Sequence, residues 1–399
     1  MKSENRPPRV MPDEYRGREQ TWIKHEVLTG YAEKWAHKLA SVVRKGKIER
    51  LWFVDCFAGP WESRDELFRD TSPAIALRVL NEVKAIHEAD GDRIEFGAIF
   101  VEKNPVAFKE LDRFVTLNRG GVKTITLEGE FESHIPRIHQ LLGDDPALLF
   151  VDPLGWRDIR MMSLQPLVAK PRRDVLINVM SDHMNRFKSD IAEFFACDVP
   201  QGLNEDGMMA LYAKQLREVC CLEFVADLII EYPTVDRTYY RLVVGGHHEE
   251  VVRLFRDIES KVAKLVPQIR AQAREQNQLN KTGQSSFLSQ ITMPTEGRYE
   301  SARRDALLAA RGAISVWVRQ RRPLTFEEIS HEALQTWRMT ERDLKTMLVD
   351  MVEEGALEVV GMEHGKRTLK GEHIICVGSG KPTKRYLDQL AEGAQQSLF

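Results

Sequence analysis

Four acids stand where apolar runs end, and these are the residues with chemistry to offer. Asp55 follows Leu51-Trp52-Phe53-Val54, and Glu102 follows Phe96–Val101. Glu130 follows Val122–Leu127 and then Glu128-Gly129, and Asp152 follows Ala147-Leu148-Leu149-Phe150-Val151. The runs before Asp55, Glu102 and Asp152 are unbroken and fit strands buried on both faces, as in a parallel sheet covered by helices, while Val122–Leu127 reads as a further strand. Ligands of open α/β sheets bind at the carboxyl edge of the strands, so these acids would line one site. Asp55 sets an acceptor at the start of the turn Cys56-Phe57-Ala58-Gly59-Pro60. Gly59 there lets the backbone pass close to a ligand. An acid in the position of Glu102 takes hydrogen bonds from ribose hydroxyls in adenosine-binding folds. A ligand with a ribose, an adenine and a positive sulfonium accounts for acids at consecutive strand ends, and S-adenosylmethionine is that ligand. Pyrophosphate cofactors fit worse. Glu62, Asp65 and Glu66 oppose phosphate, and the later glycines of a dinucleotide fingerprint are missing.

Asp152-Pro153 carries a second chemistry. An acid followed by proline can accept one hydrogen bond from an acceptor amine on its carboxylate and another on a backbone carbonyl, while Trp156 offers a face for stacking a base. The same residues also read as a plain strand-ending turn. Lys24 and His25, near the start of a helix, read equally as a contact to a cofactor carboxylate or as a solvated edge. His247-His248-Glu249-Glu250 lacks a second cluster with ligand spacing, so no metal is expected. Cys56 sits beside Asp55, whose charge raises a thiol's pKa, which argues against a nucleophile.

The elements that position these residues alternate in type. A helical apolar period runs over residues 21–43, through Trp22, Val27, Tyr31 and Trp35. Thr71-Ser72-Pro73 starts a helix with Ser72 as the cap, and Asn104-Pro105 starts another. A fifth strand covers Asp174–Met180, and strand-like stretches at Phe224–Tyr232 and Arg237–Val244 form a late antiparallel edge. Strands alternating with helices define an α/β, Rossmann-like fold. Residues 1–20 read as a flexible arm, 21–260 as the α/β domain and 261–300 as a helical and polar linker. Residues 301–377 hold three helices and a β wing, a winged helix, and 378–399 a polar tail. Arg338, Arg342 and Lys345 on the third helix, with Lys366 and Arg367 in the wing turn, are the candidates for nucleic-acid phosphates. A solvated, protein-binding face is the other reading, since Glu341 and Asp343 dilute the charge.

The chain has 399 residues and a net charge of −3, with 43% hydrophobic and 29% charged residues, so attraction to nucleic acid must come from local patches. Five cysteines, two of them adjacent, read as reduced thiols of a cytoplasmic protein. No apolar run has the length of a membrane span, and no secretory pattern opens the sequence.

Asp55-Cys56-Phe57-Ala58-Gly59-Pro60, Thr71-Ser72-Pro73-Ala74, Phe100-Val101-Glu102-Lys103-Asn104-Pro105, Phe150-Val151-Asp152-Pro153 and Val175-Leu176-Ile177-Asn178, with Arg186 beyond, occur in an order that resembles the three-Cys-motif partner family, TcmP. The resemblance spans about residues 20–260 and implies a class I S-adenosylmethionine-dependent methyltransferase fold. Pro60 and the 61–70 insertion depart from that fold's usual glycine loop. The resemblance places Asp55, Phe57, Ala58, Gly59, Pro60, Glu102, Lys103 and Asn104 at the cofactor, with Lys24 and Glu130 beside them. Asp152, Pro153, Trp156 and Arg186 fall on the acceptor side. It implies a partner with a three-cysteine, radical-enzyme-like motif, and the leading expectation for the chain is methyl transfer to a nucleic-acid base or backbone group. The competing expectation is a non-catalytic methyltransferase-like module that binds nucleic acid or protein in a mobile-element or defence system.

Overall fold

The computed structural model describes residues 10–43, 50–59, 63–153, 159–180, 188–282, 298–320, 323–361, 368–381 and 383. The chain divides into two compact units, Met1–Thr295 and Glu296–Phe399.

The first unit is built on a seven-stranded sheet. Its strands are β1 (Arg50–Asp55), β2 (Glu95–Glu102), β3 (Lys123–Glu128), β4 (Ala147–Val151), β5 (Arg173–Val179), β6 (Phe224–Glu231) and β7 (Thr238–Gly246), in the order β3-β2-β1-β4-β5-β7-β6. The first five run parallel, and β7 is antiparallel to both β5 and β6. This is the expected α/β architecture with a late antiparallel edge, a Rossmann-like fold of the class I methyltransferase type. Strand order reverses between β1 and β4, which opens the crevice where such sheets bind ligands. Asp55 and Asp152 end the two strands that flank it.

Side chains alternate between the faces of a strand, and this parity sorts the site. Trp52, Val54, Val101, Leu149, Val151, Ile177 and Val179 enter one core, with α4 (Phe131–Leu142), α5 (Met161–Val168) and α7 (Glu205–Glu218). Asp55, Glu102, Asp152 and Asn178 have the opposite parity. That face is covered by α1 (Glu19–Val43), α2 (Ser72–Ala89) and α8 (Glu250–Ala263), with α1 packed on both of the others. Among the described residues, the remaining helices of the unit are α3 (Pro105–Asn118), α6 (Lys188–Phe195) and α9 (Val266–Thr282).

Several local expectations change. Part of the arm is ordered: a short 3-10 turn at Asp13–Tyr15 buries Tyr15 and leads into α1. Thr71, not Ser72, caps α2, its hydroxyl accepting the Ala74 N–H at 3.4 Å. The helical piece expected in the linker is α9, while the next helix starts at Arg298, before the point the sequence suggests. The insertion closes on itself. Buried Asp70 takes the Arg18 guanidinium and the Ser63 hydroxyl, while Asp65 accepts Leu67 N–H at 3.0 Å and Arg69 Nε at 2.5 Å.

The second unit orders α10 (Arg298–Gln320), β8 (Leu324–Thr325), α11 (Phe326–Thr336), α12 (Glu341–Glu353), β9 (Leu357–Val360) and β10 (Ile374–Val377). Its antiparallel sheet runs β8-β10-β9. Capping boxes start α11 (Thr325 with Glu328) and α12 (Thr340 with Asp343), each satisfying backbone N–H groups that a helix start leaves open.

Gly97 sits directly across from Trp52 in the β1–β2 register, and a Cβ there would lie 2.3 Å from the indole ring. Gly97→Ala should cost about 1–3 kcal/mol, the range for overpacking a well-filled core. The double variant with Trp52→Leu should recover part of the loss, as read by urea denaturation. Equal stability of Gly97→Ala and wild type would contradict this packing.

Candidate functional site

Asp55 is wholly buried at the end of β1. Its Oδ1 accepts the Phe57 N–H at 3.2 Å, but Oδ2 has no hydrogen-bond partner among the described residues. Burial pushes its pKa up to about 7; the Ser72 hydroxyl and Phe57 N–H act against that rise. A buried acceptor left unpaired costs free energy that a ligand donor can recover. The turn beyond it is tied down: Cys56 N–H donates to Phe150 O at 2.9 Å and Ala58 N–H to Val101 O at 2.8 Å. Phe57 packs on Phe131, ring centroids 5.6 Å apart. Gly59 ends the described part of the turn, and Pro60 lies outside the described residues. Burial, with Asp55 beside it, holds the Cys56 thiol well above its usual range.

Glu102 closes β2 on the same sheet face and is nearly buried. One oxygen accepts the Asn104 N–H at 2.5 Å, and burial raises its pKa. Asn104 caps α3 through the Val106 and Ala107 N–H groups. Lys103 and Glu130 are both exposed and face each other at 3.7 Å across the strand ends. Glu130 follows Gly129, whose φ of +129° is the sharp turn out of β3. The third strand end therefore presents a solvated ion pair, whereas the first two present buried acids.

Lys24 and Asp152 have separate roles in the sequence pattern, yet in the fold they form one cluster. Lys24 reaches from the first turns of α1 to the Asp152 carboxylate, both side chains largely buried. Asn178 Nδ2 donates to Asp152 Oδ1 at 2.7 Å from the end of β5. An ion-paired carboxylate only accepts, so the amide must turn its NH2 to Asp152. That leaves Asn178 Oδ1 without a partner among the described residues. Lys24 also lies over the Tyr240 ring, 5.7 Å from its centroid. His25 is buried, hydrogen-bonded to Tyr15 at 2.9 Å, and its pKa falls to about 3 through burial and the Lys24 charge. The sequence pattern gives Asn178 and Tyr240 no role at the site. A lone amide closing the apolar run of β5 is the only signal for the first, and nothing marks the second.

At the same edge, Pro153 and Asn178 line an open pocket with Met161, Leu164, Phe194, Phe195 and Tyr212. Arg160 stands at that pocket, bound to Glu132 at 3.1 Å and Glu193 at 2.9 Å. Trp156 and Arg186 lie outside the described residues. In the second unit, Arg342 is exposed on α12, whereas Lys345 is ion-paired with Glu341 and lies 5.1 Å from the Phe326 ring centroid. Arg338 is half-buried before α12, and Lys366 and Arg367 lie outside the described residues.

No family model matches the sequence, and no curated protein resembles it at a significant level. Among solved structures, similarity extends to loganic acid methyltransferase with SAH, at 12% identity and TM-score 0.30 over 69% of this chain and 93% of that one. An SAH-bound methyltransferase from Podospora anserina is similar at 12% identity and TM-score 0.26, over 59% of this chain and 97% of that one. The assignment of fold rests on strand order and direction. No helix among the described residues is long and apolar enough to cross a membrane.

Asp55 makes a pH signature. Its pKa is near 7 in the folded protein and near 3.8 unfolded, so the folded state holds a proton that the unfolded state has lost between those values. Its contribution to stability is full below about pH 4 and is lost as pH rises through 7. Each pH unit between the two values is worth about 1.4 kcal/mol, so Asp55→Asn should match wild type near pH 4 and exceed it by about 2–4 kcal/mol at pH 8. A stability difference that does not change with pH would place the titration elsewhere.

Proposed function

We propose that the chain is an S-adenosylmethionine-dependent methyltransferase. One observation carries this reading: a buried acid with an unpaired oxygen, Asp55, ends β1 at the strand-order switch point, with a second acid, Glu102, ending the neighbouring strand on the same face. The residues fit the cofactor. Asp55 Oδ2 is an acceptor for a donor group, and Glu102 keeps a second oxygen for a ribose hydroxyl while Asn104 N–H holds the first. Lys103 and Glu130 form an exposed ion pair at the neighbouring strand end, while Lys24 sits buried against Asp152. When bound, S-adenosylmethionine supplies an electrophilic methyl group.

The chain's own task is to hold the acceptor nitrogen in line with that group, which is where most of such a rate enhancement arises. Asp152 serves as the orienting carboxylate. Both its oxygens are engaged, by Lys24 and Asn178, yet a carboxylate has about four lone-pair sites, so it can still accept an acceptor N–H. The Lys24 and Asn178 bonds fix its direction. Pro153 stiffens the following backbone carbonyl, and Trp156 and Arg186 belong to the acceptor side on sequence grounds.

We propose nucleic acid as the acceptor and the three-Cys-motif partner family as the chain's family. The ordered motifs from Asp55 to Asn178 support the second point. The helix, strand, helix, helix and hairpin order of the second unit, with Arg342 exposed on α12, supports reading it as a nucleic-acid-binding winged helix.

The test supplies radiolabelled methyl donor with separate pools of cellular DNA, RNA and protein, with and without the three-cysteine protein. Wild type should label one nucleic-acid pool, and Asp152→Ala should lower that labelling by about 100-fold, the scale of small misplacements at a reacting centre. Donor affinity should stay within a few-fold. Equal background labelling by both proteins in every pool would contradict catalysis and favour the binding-module reading.

A further inference from the structure

The β6–β7 turn lies at the same carboxyl edge as Asp152, because β7 runs back antiparallel from it beside β5. The turn, residues 232–237, closes through Tyr232 N–H to Arg237 O at 2.9 Å. Its ladder is irregular. Glu231 pairs with Thr238 and Ile230 with Tyr240, so Tyr239 is an extra residue, a β-bulge. Consecutive strand residues ordinarily point to opposite faces, but a bulge re-aims them. Tyr239 and Tyr240 accordingly touch, with ring centroids 5.1 Å apart.

The bulge assembles a row. Arg237 lies over the Tyr232 ring at 4.6 Å, Tyr232 meets Tyr239 edge-to-face at 4.6 Å, and Tyr239 meets Tyr240. Tyr240 carries Lys24, which holds Asp152. Ring follows ring from an exposed arginine to the orienting carboxylate. Tyr232 and Tyr239 are half-buried, and Val235, Asp236 and Arg237 are exposed. Arg270 and Arg274 border the turn, paired with Glu231 and Asp236, and with Arg237 they add guanidinium groups beside the row of rings.

We infer that this rim is where a single-stranded nucleic acid docks, with Tyr232, Arg237 and Tyr239 stacking a base beside Asp152. The inference rests on the proposed nucleic-acid acceptor and names the surface that receives it. Tyrosine faces interleaved with guanidinium groups suit single strands, because every base has a face to stack and every nucleotide a phosphate to neutralise. An acidic protein segment would use the arginines but not the ring faces.

The experiment measures binding of fluorescein-labelled, mixed-sequence 20-mer DNA and RNA to the full chain by anisotropy, with and without S-adenosylmethionine. Tyr232→Leu and Tyr239→Leu should each weaken binding about tenfold, within the range for a lost base stack. Tyr232→Phe and Tyr239→Phe should bind as wild type, since stacking needs no hydroxyl. Arg237→Gln should weaken binding and flatten its salt dependence by about one phosphate contact. Thermal midpoints check that each variant is folded. Leucine variants that bind as wild type would overturn the inference, as would a wild type that binds neither oligonucleotide. So would a loss of binding in Arg237→Gln alone, which would mark a purely electrostatic surface. Oligonucleotide binding that depends on the rim in a protein that does not bind S-adenosylmethionine would overturn the methyltransferase reading and leave this one standing.

Discussion

Lys24 reaching from α1 to Asp152 is the contact on which the site depends. It joins a helix near the start of the described chain to the end of the fourth strand, and Asn178 from the fifth strand completes the cluster. Each member would be costly alone, since an unpaired charge or amide in a closed site loses its water without replacement. Together they satisfy most of their hydrogen-bonding capacity and fix three elements at one point. What is left over is informative. Asn178 Oδ1 and Asp55 Oδ2 remain without partners among the described residues, on the same face of the sheet. Native structures rarely leave such atoms unpaired, and a binding site is one place where they persist.

The sheet explains why these atoms meet. Parallel strands with continuous apolar runs leave no polar positions inside, so polar groups gather at the strand ends. Parity then decides which face each end residue joins. Asp55, Glu102, Asp152 and Asn178 share one parity and one face, while Trp52, Val54, Val101 and Val151 fill the core on the other. The acids of the insertion took a different course. Asp65 and Asp70 are occupied by Arg69, Arg18 and Ser63, so they brace the segment beside the cleft and do not line it.

Local pattern made much of this legible. The buried runs of β1, β2, β4 and β5 carried enough apolar periodicity to place the strands, and Pro105 with Asn104 placed the start of α3. The end positions of Asp55, Glu102 and Asp152 followed directly. What escaped was the long-range pairing. Nothing local distinguishes Lys24, bonded to a residue 128 positions away, from a solvated lysine, and nothing distinguishes Tyr240 from a core aromatic. The bulge at Tyr239 depends on register with β6, which no short window contains. Glu130 shows the converse: it too follows a strand, two residues past the end of β3, but the positive-φ turn at Gly129 carries it out to solvent beside Lys103.

If the cleft holds the cofactor, the unpaired oxygen of Asp55 is its acceptor. Calorimetric titration of S-adenosylmethionine and of its demethylated product into wild type and Asp55→Ala measures this directly. Wild type should bind both compounds, and the variant, with its fold verified by circular dichroism, should bind each more weakly by about 1.5–3 kcal/mol, the scale of a hydrogen bond to a charged group. Wild type binding neither compound, or the variant binding both unchanged, would contradict the assignment of this cleft.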